Sequence, residues 1–177
     1  MRPFKAALLV LLAANTIYFV VAETASKGVD SAAWLILLLL FQAETNFGTR
    51  MQTRRTRVFV RVLRLLAGAG VFAATLGYIF EENTLDALNA IVWIVLVILL
   101  ELELRRPLLV RRHPRLFKAS AGVVFAALAL LVFAWSAAGM WFDAYDAALW
   151  LLAFALLELD ITSVTLRGHP AGPAKSA

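Results

Sequence analysis

Cysteine is absent from the 177-residue chain, and histidine occurs only twice, each time directly before proline. The lack of thiols excludes disulfides, thiolate metal sites and thiol redox chemistry. Charged residues are scarce as well: they make up 16% of the chain, against about 25% in an ordinary soluble domain. Apolar residues reach 62%, where a soluble domain has roughly 45–50%. This composition excludes a water-soluble globular protein.

The apolar residues fall into long stretches that are separated by short charged segments. A bilayer core of about 30 Å is crossed by roughly 20 mostly apolar residues in a helix. Lipid offers no hydrogen bonds to the backbone, and no stretch alternates in the two-residue pattern of a barrel strand. The sequence therefore predicts an all-α integral membrane protein with six transmembrane helices. Their expected bounds are Ala6–Ala22, Ala32–Phe47, Val58–Phe80, Leu85–Leu104, Leu116–Phe142 and Ala144–Val164.

Lysine and arginine are confined to one side of these predicted spans. With the N-terminus placed in the cytoplasm, 16 of the 17 basic residues lie on the cytoplasmic side, and only Lys27 lies across the membrane. Because basic loops are retained in the cytoplasm, we expect both termini to be cytoplasmic, in a bacterial plasma (inner) membrane. The opposite face is acidic, so the net charge of +5 reflects topology and requires no nucleic-acid partner.

The first span has an alternative interpretation as a cleaved segment. Arg2 and Lys5, followed by an apolar run that ends at Val20, Val21 and Ala22, also resemble a secretory signal with a small-residue cleavage site. An internal repeat favours retention of this segment, because the segment belongs to the first copy.

The even-numbered spans repeat one sequence pattern three times. Asp or Asn stands four residues before a tryptophan, Gln or Glu eight residues after it, and Glu or Asp ten residues after it. These columns, which align without a gap, are Asp30/Asn89/Asp146, Trp34/Trp93/Trp150, Gln42/Glu101/Glu158 and Glu44/Glu103/Asp160. The pattern predicts three copies of one helical hairpin, over about 1–49, 57–104 and 115–164, in a pseudo-threefold arrangement about the membrane normal. We expect one transmembrane domain over 1–166 and a disordered cytoplasmic tail over 167–177.

The two kinds of span differ in side-chain size. The third and fifth spans are rich in small residues, whereas the even spans carry Trp, Leu, Ile and Phe. Small residues let helix backbones approach closely in lipid. We therefore expect the odd helices to make the close contacts and the even helices to present more bulk to lipid. The small residues are Gly68, Gly70, Ala73, Ala74, Gly77, Gly122, Ala126, Ala127, Ala134, Ala137, Ala138 and Gly139.

Acidic residues near the cytoplasmic ends of the even helices are the main candidates for chemistry, since carboxylates inside a bilayer are costly and suggest function. One interpretation is a cation site; the other is that each acid pairs with nearby arginines and fixes the hairpin register. Positions eight and ten after the tryptophan lie roughly 80° to either side of it, so only one column can line an axial pore. For a pore we assign the column Glu44/Glu103/Asp160. The full candidate set is Glu44, Glu103, Asp160, Glu101 and Glu158.

The repeated tryptophans and aspartates have simpler expected roles. Trp34, Trp93 and Trp150 fall about one turn inside the outer boundary, and amphipathic rings favour the headgroup level. They are predicted to be interface anchors rather than an aromatic ligand box. Asp30 and Asp146 begin their predicted helices, where a carboxylate caps free backbone N–H groups and meets the positive end of the helix dipole.

Known catalytic and voltage-sensing patterns are missing. Neither histidine lies at membrane depth, and no phosphate-binding glycine loop or zinc-ligand spacing is present, so we predict no enzyme activity, metal or cofactor. Arg57, Arg61 and Arg64 form an arginine-rich stretch that stops at the start of the third span, as expected for cytoplasmic anchoring rather than voltage sensing. The basic cytoplasmic loops are expected to contact anionic lipid headgroups.

Two functions from different classes remain. The first is a non-enzymatic accessory or scaffold subunit that binds another membrane protein or lipid, because the predicted spans contain no deep charged site and leave no soluble domain. The second is a small cation channel or transporter that uses the column Glu44/Glu103/Asp160.

Overall fold

The computed structural model describes the backbone of residues 2–47 and 53–167. Side chains are described for residues 4–44, 53–99, 102, 106, 108–110 and 112–156. Within these ranges the chain is all-helical and contains no strand, as predicted. The helices are α1 (Arg2–Ala22), α2 (Ala25–Phe47), α3 (Arg54–Phe80), α4 (Thr84–Arg105), α5 (Pro107–Arg112), α6 (Pro114–Ala137) and α7 (Trp141–Arg167).

Local sequence explains where several helices begin. The side chain of Thr53 caps α3 by accepting a hydrogen bond from the Thr56 amide at 3.2 Å. Asn83 caps α4 in the same way, since its side chain accepts from the Asp86 amide. Both α5 and α6 begin with proline, which suits the first helical turn because no N–H partner is needed there. The turn between α6 and α7 contains Gly139 with φ of 78°, a left-handed conformation that glycine adopts readily.

Some boundaries differ from the predicted ones. Helix α2 begins seven residues earlier than predicted and α7 three residues earlier, and the short helix α5 is not among the predicted helices. The prediction that Asp30 and Asp146 cap their helices is wrong, because each lies more than one turn inside its helix. Hydropathy places a boundary where the apolar run begins, whereas these helices continue through polar residues that are buried.

Among the described residues, four helices are long and apolar enough to cross a membrane: α1, α2, α3 and α6. The apolar part of α4 is shorter and spans Thr84–Leu99. The helices therefore support a membrane-embedded protein.

The six long helices form a closed ring in chain order. Helix α1 packs against α2, α2 against α3, α3 against α4, α4 against α6, α6 against α7, and α7 returns to α1. Within the described ranges, helices that alternate around the ring, whether α1, α3 and α6 or α2, α4 and α7, do not approach one another backbone to backbone. Helices α2, α4 and α7 each supply a buried tryptophan to one central cluster. Accordingly, 44% of the apolar stretch of α2 is buried, against 11% of that of α6.

The expected roles of odd and even helices need correction. The even helices bring their bulk to the centre of the ring, and the odd helices present more surface to the outside. Close approach through small residues does occur between α2 and α3: a Cβ placed on Gly70 would lie 3.3 Å from the Ala33 Cβ, and one on Gly77 would overlap Ser26. In α6, by contrast, Gly122 faces open space. The buried residues of α6 are the larger Val124, Leu128, Leu131 and Trp135.

Candidate functional site

A polar cavity, partly open to the surface, lies near the end of the bundle that carries the turns 23–24, 81–83 and 138–140, which we call the outer end. Its volume is about 60 Å³, enough for on the order of two to four water molecules. Helices α2, α4 and α7 supply most of its wall. We call it the polar cavity; its lining includes Lys27, Asp30, Trp34, Asp86, Asn89, Trp93, Asp143, Asp146 and Trp150.

These nine residues occupy equivalent positions of the sequence repeat. On each helix, a charged residue stands seven positions before the tryptophan, and Asp or Asn stands four positions before it. Residues spaced by three, four and seven positions share one face of an α-helix. The three helices therefore turn the same face towards one cavity.

Lys27 connects the three helices of the cavity wall. Its Nζ donates a hydrogen bond to Asp143 Oδ1 at 2.5 Å, and it lies 3.6 Å from Asp86 Oδ2 and 3.9 Å from Glu23 Oε2. The same Nζ lies 5.8 Å from the centroid of the Phe19 ring, within cation–π distance. Only 10% of the Lys27 side chain is exposed. Protein carboxylates, rather than bulk water, therefore neutralise this ammonium group.

Asp30 forms no ion pair with a cation among the described residues; the Tyr78 hydroxyl and the Trp34 indole are the donors that face its carboxylate. Tyr78 of α3 donates its hydroxyl hydrogen to Asp30 Oδ2 over 3.3 Å. The other oxygen, Oδ1, is buried and has no hydrogen-bond partner among the described residues. The ion pairs of Lys27 go to other carboxylates, although Lys27 lies on the same helix. Asp30 is 9% exposed, so an unpaired acceptor at this position carries a desolvation cost.

Helix α1 satisfies other polar groups near the cavity. Asn15 Nδ2 donates to Asp146 Oδ1 at 2.7 Å. The hydroxyls of Thr16 and Ser31 lie 2.9 Å apart. Because Thr16 also donates to the carbonyl of Leu12 at 2.9 Å, Ser31 is the donor in this pair. These contacts fix α1 against both α7 and α2.

The tryptophans close the inner side of the polar cavity. Trp34, Trp93 and Trp150 are 8%, 6% and 8% exposed. The ring centroids of Trp34 and Trp93 lie 5.8 Å apart, and the ring of Trp93 lies 4.7 Å from that of Phe154. The predicted role as interface anchors requires rings that reach the lipid headgroups, whereas the structure turns all three rings to the interior. A fourth indole in the lining, Trp135 of α6, has no acceptor for its buried Nε1 among the described residues.

The predicted acidic site lies towards the opposite ends of the same helices. Glu44 forms an ion pair with Arg64 of α3 at 2.5 Å, and their side chains are 42% and 51% exposed. An exposed pair of this kind contributes about 0–1 kcal/mol to stability. The other candidates lie on α4 and α7, but their side chains fall outside the described residues: Glu101, Glu103, Glu158 and Asp160.

Sequence reasoning found the repeat but missed its column Lys27/Asp86/Asp143. Two signals were available. Lys27 is the only basic residue on the predicted outer side, and the alignment of the repeats extends without a gap to seven residues before the tryptophan. A single lysine that aligns with two aspartates predicts an ion pair between repeats.

The polar cavity has an excess of acidic groups. Asp30, Asp86, Asp143 and Asp146 line it, and Lys27 is the one basic residue in its lining among the described residues. Burial of carboxylates is costly unless cations or hydrogen-bond donors compensate them. The cavity is therefore suited to a small cation or a proton. In the described part of the chain, no group of three or more His, Cys, Asp or Glu side chains is arranged to hold a metal ion.

Comparisons with protein-family profiles, with curated proteins and with solved structures find no match to this chain. The geometry of the polar cavity is therefore the basis for assigning a function.

Proposed function

We propose that this chain is a small membrane transporter that takes a monovalent cation or a proton from the outer side into the polar cavity. The observation that carries the proposal is the Asp30 carboxylate, which is buried and has one oxygen without a partner in the described part of the molecule. A carboxylate that lacks a counter-ion is costly at low dielectric. A cation or proton entering the cavity supplies the missing positive charge.

The proposal includes six membrane-crossing helices arranged as three repeated hairpins. Helices α4 and α7 have 22 and 27 residues, which corresponds to about 33 and 40 Å at 1.5 Å per residue. Both lengths exceed the hydrocarbon core of about 30 Å. The closed ring of helices and the shared cavity wall support a pseudo-threefold axis that passes through the polar cavity.

The orientation follows the distribution of basic residues. We place both termini and the basic loops in the cytoplasm of a bacterial cell, with the basic loops against anionic lipid headgroups. The polar cavity then lies towards the external side of the inner membrane. A cation reaches it from the acidic face of the protein, which favours cation entry.

A closed apolar layer favours a carrier over an open channel. Leu12, Leu96 and Leu128 are almost completely buried and belong to the same cluster as the three tryptophans. Beyond this layer lies a separate cavity of about 20 Å³, lined in part by Leu38 and Gln42. Transport therefore requires the helices to move so that the ion passes the layer. The predicted column Glu44/Glu103/Asp160 is the candidate for the cytoplasmic exit.

An accessory or scaffold subunit is the second candidate, and the same apolar layer favours it, because a sealed bundle can serve binding alone. A lack of deep charged residues in the predicted spans favours this role. The buried ion pairs of Lys27 are charged groups inside the bundle, so we rank transport first.

Ion flux into liposomes tests the proposal. The purified protein should move a monovalent cation or protons down a gradient, and Asp30→Asn should abolish the flux, because the amide keeps the shape of the side chain and an acceptor for Tyr78 but removes the charge. Glu82→Gln is the matched control, since it removes one exposed acidic charge at the outer end and should leave flux intact. The variants Glu103→Gln and Asp160→Asn test the exit column.

Two results would overturn the transport proposal. One is the absence of flux through folded wild-type protein, which would favour the accessory role. The other is undiminished flux through Asp30→Asn, which would remove Asp30 from the path.

A further inference from the structure

The oxygen Oδ1 of Asp30 can accept a hydrogen bond from a ligand that enters the polar cavity. Asp30 is nine-tenths buried, and its Oδ1 has no donor among the described residues. Asn89 and Ser31 also line the polar cavity and offer further oxygen atoms. Among the described residues, no three His, Cys, Asp or Glu side chains are arranged to hold a metal ion. An ammonium ion instead donates a separate hydrogen bond from each N–H group, so its acceptors need not converge on one point.

The inner wall of the polar cavity is aromatic. Trp34, Trp93 and Trp150 form it, and the rings of Trp34 and Trp93 lie 5.8 Å apart. Tryptophan is the most favourable aromatic side chain for a cation–π interaction, which acts within about 6 Å of the ring. A carboxylate beside several indoles is a combination suited to an organic or ammonium cation.

Lys27 provides an example of the same chemistry in the outer part of the cavity. Its primary ammonium group is held by the carboxylates of Asp143 and Asp86, and the ring of Phe19 lies 5.8 Å away. Carboxylates and aromatic rings thus already hold one R–NH₃⁺ group in this bundle. About one helical turn farther from the outer end, the Asp30 carboxylate and the tryptophan rings offer the same two kinds of group, a carboxylate and aromatic rings.

The size of the cavity limits the ligand. A volume of about 60 Å³ admits on the order of two to four water-sized groups. Ammonium and methylammonium meet this limit. Tetramethylammonium has five heavy atoms and no N–H donor, so it fails on both counts.

We infer that the polar cavity binds ammonium or a small primary alkylammonium ion, with Asp30 as the carboxylate and Trp34, Trp93 and Trp150 as the aromatic wall. The inference rests on the proposed cation function and names the class of cation.

Thermal unfolding of the detergent-solubilised protein, measured with different chloride salts at equal ionic strength, tests the inference. Ammonium and methylammonium should raise the unfolding temperature in a saturable way, because a ligand that binds only the folded state stabilises it. Sodium, potassium and tetramethylammonium should not. Asp30→Asn should abolish the shift, and Glu82→Gln should preserve it.

A second variant keeps the test decisive if Asp30→Asn does not fold. Trp93→Phe retains an aromatic ring but weakens the cation–π interaction, so the methylammonium concentration for half-maximal stabilisation should rise several-fold.

An equal shift with all chlorides, or no shift with ammonium and methylammonium, would overturn the inference. Flux of sodium or protons without ammonium binding would overturn the ammonium inference but would still support the transport proposal. Ammonium binding without any flux would support the ligand class and contradict transport.

Discussion

Lys27 is the residue that connects the outer ends of α2, α4 and α7. It lies on α2 and contacts carboxylates of α4 and α7, and all three residues occupy the same position of the sequence repeat. Because all three groups are largely buried, each depends on the others for charge compensation. The cluster therefore holds together segments that are far apart in the chain.

Replacement of this lysine should destabilise the bundle strongly. Lys27→Met keeps the length of the side chain but leaves Asp86 and Asp143 without their cation. Removal of one partner of a buried ion pair costs about 3–5 kcal/mol, and we expect a loss of this size in the free energy of unfolding, measured by denaturant or heat in detergent. Lys118→Met, at an exposed position of α6, is the control and should change stability by less than about 0.5 kcal/mol. Equal stability of both variants would contradict the ion-pair cluster.

At the scale of helices, α2 and α3 form the closest described contact through small residues. A Cβ on Gly77 would overlap the Ser26 hydroxyl, which itself donates a hydrogen bond to Glu81 at 2.6 Å. A Cβ on Gly68 of the same helix meets nothing within 4 Å. An alanine at Gly68 therefore changes only the helix propensity, whereas an alanine at Gly77 changes both the helix propensity and the packing against α2.

Alanine substitutions at these glycines should have opposite effects. Gly68→Ala gains up to about 1 kcal/mol from helix propensity and should raise the unfolding temperature slightly. Gly77→Ala gains the same preference but adds an overpacking cost of about 1–3 kcal/mol, so it should lower the unfolding temperature. Thermal unfolding of both variants in one detergent provides the comparison. A stabilising Gly77→Ala would show that α2 and α3 are farther apart than described.

Much of the helical architecture could be predicted from the sequence, because long apolar runs determine helices in lipid regardless of their partners. The prediction failed where polar residues continue a helix. Asp30 was expected to cap α2, yet it lies a full turn inside, because the helix begins at Ala25. Hydropathy assigns such residues to the water phase, whereas Tyr78 and the ion pairs of Lys27 allow the polar segment to remain in the bundle.

The site was only partly predictable for a related reason. The repeat showed which positions are equivalent, and it included Asp30, Asn89 and Asp146. It did not show which side of each helix faces the centre, because that depends on how three helix pairs pack. Trp34 illustrates the difficulty: an indole near a helix end suits both a lipid interface and a buried aromatic wall, and tertiary packing decides between them.

At the scale of the whole molecule, the proposed six crossings make a specific labelling prediction. The chain has no cysteine, so single cysteines can be introduced without background reaction. Cysteines in Thr84→Cys and Ala138→Cys should react with an impermeant maleimide added outside intact cells, and the cysteine in His113→Cys should react only after lysis. Both results follow if α4 and α6 cross the membrane. External labelling of His113→Cys would place the α4–α6 connection outside and contradict the six-span topology.

The equivalence of the three repeats around the polar cavity is the central claim, and an exchange of charges between repeats tests it most directly. Lys27→Asp and Asp143→Lys should each lower the unfolding temperature, because each unbalances the buried cluster. The double variant Lys27→Asp/Asp143→Lys moves the lysine from the first repeat to the third and restores one cation with two carboxylates, so it should recover most of the stability lost in either single variant. A double-mutant cycle on unfolding free energies measures this coupling. Losses that simply add would mean that the three positions do not share one site.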